Sequence, residues 1–171
     1  FIKSLNFFLN KKNISIIKIK NKDLNFHARF SAKERVYKYI ILNRSSVPSI
    51  DRGRVWHVIN KLDLKLLKKG AKKLLGTHDF STFRSSSCNA KSPIRTLNKL
   101  IIKKSKDKIN LFFESRSFLQ QQVRSMVGSL KYLGQDKWTL KQFKKIKESK
   151  NRSKCAPPAP ASGLYLLEVK Y

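Results

Sequence analysis

Two apolar runs, TLNKLIIKK (96–104) and KINLFFESR (108–116), lie three residues apart. Each reads as a strand, and the short turn Ser105–Asp107 makes the pair a hairpin. Such a pair is stable only when other elements cover one of its faces, so its flanks decide the fold. Upstream, residues 62–75 carry Leu67, Ala71, Leu74 and Leu75 at helical spacing with lysines between them, and Gly76 supplies a stop. Downstream, Leu119, Val123, Met126, Leu130 and Leu133 form the stripe of a second helix, with Ser117 as its expected N-cap and Gly134 as its end. Beyond these lie a strand over 33–42 and a terminal strand, LYLLEVKY. Residues 44–60, with Pro48 and Gly53, read as an irregular connection, and 139–149 as a short basic helix. CAPPAPASG (155–163), with its three prolines, suits neither a helix nor a central strand. The order strand, helix, strand, strand, helix, strand predicts an α+β, ferredoxin-like (βαββαβ) fold. Its sheet is mostly antiparallel, with helices on one face and the other face open to a ligand.

The 171 residues suffice for one domain with a real core. Against 10 Asp+Glu stand 39 Lys+Arg, a net charge of +29 that attracts polyanions, nucleic acid foremost. Part of the lysine content also fits A+T-rich coding, so the placement of arginine says more than the number of lysines. No apolar run approaches the ~20 residues needed to span a bilayer. The two cysteines, Cys88 and Cys155, form no CxxC pair and suit a reducing, cytoplasmic setting. His27, His57 and His78 lack metal-ligand spacing, and no metal is expected. The chain begins with Phe1 and shows no signal peptide, which suggests a natural beginning farther upstream.

Residues 26–43, FHARFSAKERVYKYIILN, place Tyr37 and Tyr39 two apart behind Arg29, Lys33 and Arg35. Alternation puts both rings on one side of a strand, where they serve either as sheet core or as a platform for a base. Arg124 stands alone in an apolar, amide-rich helix. It is either a solvated charge or a planar fork that holds an anion at two points. Gly128 weakens that helix by about 1 kcal/mol relative to Ala, and a close approach of another backbone would explain it. His78–Asp79 is a poor acid–base pair, since neighbours rarely converge on one substrate, and Asp79 better suits a turn or helix cap. These residues argue for contact with RNA and name no reaction.

Four blocks, in order, resemble the TruA family of tRNA pseudouridine synthases: FHARFSAKERVYKYIILN, GTHDFSTFR with SPIRTL, SFLQQQVRSMVGSL, and PAPASGLYLLEVKY. The resemblance implies isomerisation of uridine to pseudouridine at tRNA nucleotides 38–40, in the anticodon stem-loop, without a cofactor. It implies an aspartate acting at the ribose, Tyr37 packing on the extracted uracil and helping to move its C5 proton, and Arg124 paired with that aspartate. Arg29, Arg35 and Arg84 match positions near the RNA-facing cleft. The resemblance also implies a homodimer.

The family's aspartate lies in a GRTDAGVHA-type motif upstream of the first block. None of Asp23, Asp51, Asp63, Asp79, Asp107 and Asp136 has that context. The expectation is therefore a fragment, inactive alone. Residues 1–25 would be the tail of a truncated N-terminal subdomain, joining through a strand near 14–19, and 26–171 the C-terminal synthase domain. The family's HHMVR reads QQQVR here, at 120–124, which removes two imidazoles. A non-catalytic RNA-binding module, or a degenerate synthase that folds tRNA, is the alternative.

Overall fold

The computed structural model describes residues 1–171, which divide into two units, Phe1–Ser31 and Ala32–Tyr171. The first contains the helix α1 (Ile2–Leu9), a 3-10 turn and irregular chain. The expected strand near 14–19 does not form. The side chain of Asn6 takes the place of a partner strand: it donates to the Ile16 carbonyl at 2.9 Å and accepts from the Ile16 N–H at 2.7 Å.

The second unit is built on a six-stranded sheet: β1 (Glu34–Asn43), β2 (Trp56–Val58), β3 (Gly76–Asp79), β4 (Ile94–Ser105), β5 (Lys108–Ser115) and β6 (Leu164–Lys170). On one side β1 pairs antiparallel with β5, β5 with β4, and β4 with β3. On its other side β1 takes β6, antiparallel, along its first half and β2, parallel, along its last three residues. The four long strands lie in the order β6-β1-β5-β4, the neighbour relations that the ferredoxin-like reading requires. The two short strands are additions. β2 lies in the stretch read as irregular, and Gly76, at φ +94°, opens β3 instead of ending a helix.

Two helices, α2 (Leu64–Lys72) and α3 (Gln122–Gly134), pack on one sheet face, and α4 (Leu140–Glu148) packs against them. Tyr39, Ile41, Leu111 and Phe113 from the sheet meet Leu67, Val123, Met126, Leu130, Leu133 and Phe143 from the helices. Burial of each such side chain stabilises the fold by roughly 1.5–3 kcal/mol. The opposite face mixes apolar side chains, Val36, Ile40, Leu42, Ile101 and Phe112, with charged ones: Lys38 Nζ stands 5.7 Å over the Phe112 ring, and Lys99 pairs with Glu114 at 3.3 Å. Tyr37 and Tyr39 therefore point toward the helices, not toward the open face. No helix is long and apolar enough to cross a membrane.

Caps set the helix limits. Asp63 accepts from the Lys65 and Leu66 N–H groups at the start of α2. Lys147 of α4 donates to the Lys73 carbonyl at 2.9 Å, placing a cation at the end of α2 where the helix dipole favours one. Thr139 and Gln142 form a reciprocal capping box that starts α4. Thr139→Ala is expected to lower stability by about 1 kcal/mol, read from urea unfolding midpoints. Contrary to the sequence expectation, Ser117 does not cap α3. Its N–H is taken by Ser115 Oγ at 3.3 Å, and the helix starts five residues later behind Gln121 in the left-handed region at φ 61°. Gln122 is buried, and its Oε1 accepts from the Leu119 N–H at 2.8 Å, which closes the turn before the helix.

Candidate active site

Alternation along β1 places Arg35, Tyr37, Tyr39 and Ile41 on the face toward the helices. The structure separates the two tyrosines by role. Tyr39 is wholly buried; its hydroxyl donates to the Pro160 carbonyl at 2.7 Å and its ring meets Trp56 edge-on at 6.2 Å. Gly163 lies against that ring so closely that a Cβ there would stand 2.8 Å from it. Tyr37 is half-buried and meets Phe118 edge-on, with centroids 5.2 Å apart at 86°. The sequence reading missed Phe118. It stands in the irregular stretch between β5 and α3, which is where the sequence reading places the start of the helix.

Arg124 is brought to the same face by the proline-rich strap over 155–160. Its Nε donates to the Ala159 carbonyl at 2.6 Å, and the Ala159 N–H returns a bond to the Arg124 carbonyl at 3.0 Å. Consecutive carbonyls of one strap, Ala159 and Pro160, thus receive the Arg124 guanidinium and the Tyr39 hydroxyl. Burial pushes the Tyr39 hydroxyl well above its ordinary pKa, and the Arg124 charge pulls in the other direction, which puts the two groups within electrostatic reach. Tyr37 lies two residues from Tyr39 along β1, about 7 Å at the rise of a strand. With Nε committed, the terminal nitrogens of Arg124 are left to offer an anion two parallel donors.

The close backbone approach expected at Gly128 is present: a Cβ built there would lie 2.1 Å from the Pro157 carbonyl oxygen. Arg35 donates to the carbonyls of Arg116, at 2.5 Å, and Ala32, at 3.4 Å, and so ties the start of β1 to the segment that carries Phe118. Arg84 donates to the Cys88 carbonyl at 2.5 Å, bracing the loop after the 3-10 turn Ser81–Phe83. That loop is in turn joined to the start of α3, since the Ser85 N–H donates to the Gln120 carbonyl at 3.0 Å. Arg29 lies in the first unit, its guanidinium 5.8 Å over the Phe30 ring.

Five of the six aspartates are engaged elsewhere. Asp51 pairs with Lys108 at 2.6 Å, Asp107 with Arg44 at 3.7 Å, and Asp63 caps α2. Asp79 accepts from the Ser81 N–H at 2.8 Å, a turn cap as read from the sequence, and Asp23 accepts from the Asn25 N–H at 3.0 Å. No carboxylate forms an ion pair with Arg124. The structure gathers no group of three or more His, Cys, Asp or Glu side chains able to hold a metal ion.

A model of the family described as tRNA pseudouridine synthase matches residues 71–171. Over 170 residues, 99% of the chain and 69% of the relative, the sequence is 61% identical to the tRNA pseudouridine synthase A of Pelagibacter ubique. It is 45% identical over 168 residues to that of Caulobacter vibrioides, covering 98% of the chain and 68% of the relative. A match of 42% to the enzyme of the same name from Rhodospirillum centenum covers 98% and 69%.

Proposed function

The chain belongs to the tRNA pseudouridine synthase family, and from that premise we propose that the Tyr37–Arg124 face is the part of the catalytic pocket that holds the target uridine. The family reaction is an isomerisation in tRNA. The N1–C1′ bond of a uridine breaks, a C5–C1′ bond forms, C5 gives up its proton and N1 gains one. Nothing is oxidised or reduced, and no cofactor is needed.

The observation that carries the assignment is the shared anchoring of Arg124 and β1 by two adjacent carbonyls, which sets a guanidinium beside the strand that presents Tyr37. In the proposal the uracil, extracted from its stack, lies against Tyr37, whose ring is steadied by Phe118. Arg124 keeps an aspartate carboxylate ionised for attack at the ribose. That aspartate comes from outside residues 1–171, because none of the six present has the required sequence context or an ion pair with Arg124. We extend the proposal to the anticodon arm, nucleotides 38–40, as the target, to a homodimeric enzyme in the cytoplasm, and to residues 1–25 and 26–171 as parts of successive subdomains. Arg29, Arg35 and Arg84 would contribute positive charge along the RNA path.

The test is Tyr37→Ala in the intact protein, followed by release of tritium from C5-labelled uridine in tRNA. Turnover should fall about 10- to 100-fold, in line with the loss of one aromatic platform, while tRNA affinity stays within about threefold. Equal loss of both would reduce Tyr37 to a general RNA contact. Tight tRNA binding by the parent with no pseudouridine formed would favour a non-catalytic RNA-binding protein.

A further inference from the structure

A hollow of about 490 Å³ opens beside α4, within the roughly 300–1,000 Å³ of small-ligand pockets. Trp138 and Ile146 give it an apolar lining, and Lys145 and Lys154 stand at it with exposed side chains. It shares no residue with the candidate active site. The Trp138 ring is held from behind by Tyr132, at 5.1 Å between centroids, and Lys137 Nζ lies 5.2 Å over that tyrosine. The acidic group at the hollow, Glu148, faces Lys144 at 3.8 Å. Between residues 136 and 154 the lysines 137, 141, 144, 145, 147, 150 and 154 outnumber Asp136 and Glu148, so the local field is strongly positive.

We infer that this hollow is a second RNA subsite, which takes one unpaired nucleotide of the bound tRNA, its base against Trp138 and its flanking phosphates on Lys145 and Lys154. An aromatic ring in an apolar recess between lysines is the arrangement that captures a splayed base without reading its identity: the π-face accepts any base and the ammonium groups follow the backbone. An acidic or purely apolar protein segment would leave either the ring or the lysines unused. The inference rests on tRNA being the substrate. It adds a contact that contributes affinity at a distance from the reacting uridine.

The experiment compares the intact parent protein with the double variant Lys145→Glu/Lys154→Glu and with Trp138→Phe, measuring tRNA affinity, turnover at saturating tRNA and tryptophan emission. Charge reversal should weaken tRNA binding about 10-fold or more and leave saturated turnover unchanged. Added tRNA should quench the parent's emission, and part of that quench should vanish in Trp138→Phe. Parent-like affinity in the double variant, or an undiminished quench in Trp138→Phe, would overturn the subsite. So would a fall in saturated turnover, which would assign the lysines to the chemical step. A parent that binds no tRNA would overturn the substrate assignment and the subsite together.

Discussion

Arg124→Lys is expected to lower turnover about 100-fold or more while tRNA affinity changes by no more than a few-fold. The reason is a count of donors. Nε of Arg124 is committed to the Ala159 carbonyl at 2.6 Å, and that bond both fixes the plane of the guanidinium and holds the strap down. Two terminal nitrogens then remain for a carboxylate, side by side at the spacing of its oxygens. Lysine brings one ammonium group on a flexible stem, which must choose between Ala159 and the incoming anion. Whichever it chooses, the carboxylate loses its two-point hold and the position from which it attacks. Removal of one well-placed donor to a reacting group typically lowers kcat by about 10²–10³. Affinity should hardly change, because one cation among 39 carries little of the attraction to the tRNA backbone. Single-turnover rates at saturating tRNA give the measurement. A parent-like rate in Arg124→Lys would remove Arg124 from the chemistry.

The sequence carried the architecture where the signal was local, and lost it where a distant group decided. The hairpin, the body of α3 from Val123 to Leu133 and the short basic helix α4 depend on neighbours within a few residues, and they appear where periodicity places them. The strand near 14–19, expected from the family resemblance, finds no partner strand: Asn6, ten residues away, bonds both backbone groups of Ile16. β2 is three residues long, too short to show a period, and exists because the end of β1 offers it a free edge. Ser117 looked like a cap because the sequence does not show that Ser115 Oγ, held by the distant Thr96 carbonyl at 2.7 Å, will take its N–H. The site shows the same division. Alternation put Tyr37 and Tyr39 on one face, yet only packing shows that Tyr39 is core and that Phe118 stands beside Tyr37. Arg124 was conspicuous as a lone arginine, while the Ala159 carbonyl that seats it lies 35 residues away, beside the Pro160 carbonyl that holds Tyr39, in a stretch readable only as neither helix nor central strand.

Gly128→Ala is expected to destabilise the second unit by about 2–4 kcal/mol and to impair catalysis along with it, whereas Gly70→Ala should stay within about 1 kcal/mol of the parent. Both glycines are helical, so both substitutions gain a similar ~1 kcal/mol of helix propensity. They differ in what the new methyl group meets. At Gly70 the nearest atoms are the Cδ2 methyls of Leu133 and Leu130, ends of flexible side chains that can turn aside. At Gly128 it meets the Pro157 carbonyl oxygen at 2.1 Å, backbone that moves only if the strap moves. Overpacking of this kind typically costs about 1–3 kcal/mol, and more where the obstruction is rigid. A shifted strap also lengthens the paired bonds between Ala159 and Arg124, at 2.6 and 3.0 Å, and the bond from Tyr39 to Pro160. Stability and catalysis therefore fail together through one displaced segment, although Gly128 touches neither substrate nor Tyr37. Urea unfolding of the two variants beside single-turnover rates distinguishes the cases: equal stability losses in the two would mean that the strap yields as easily as a leucine, and the seating of Arg124 would then need another cause.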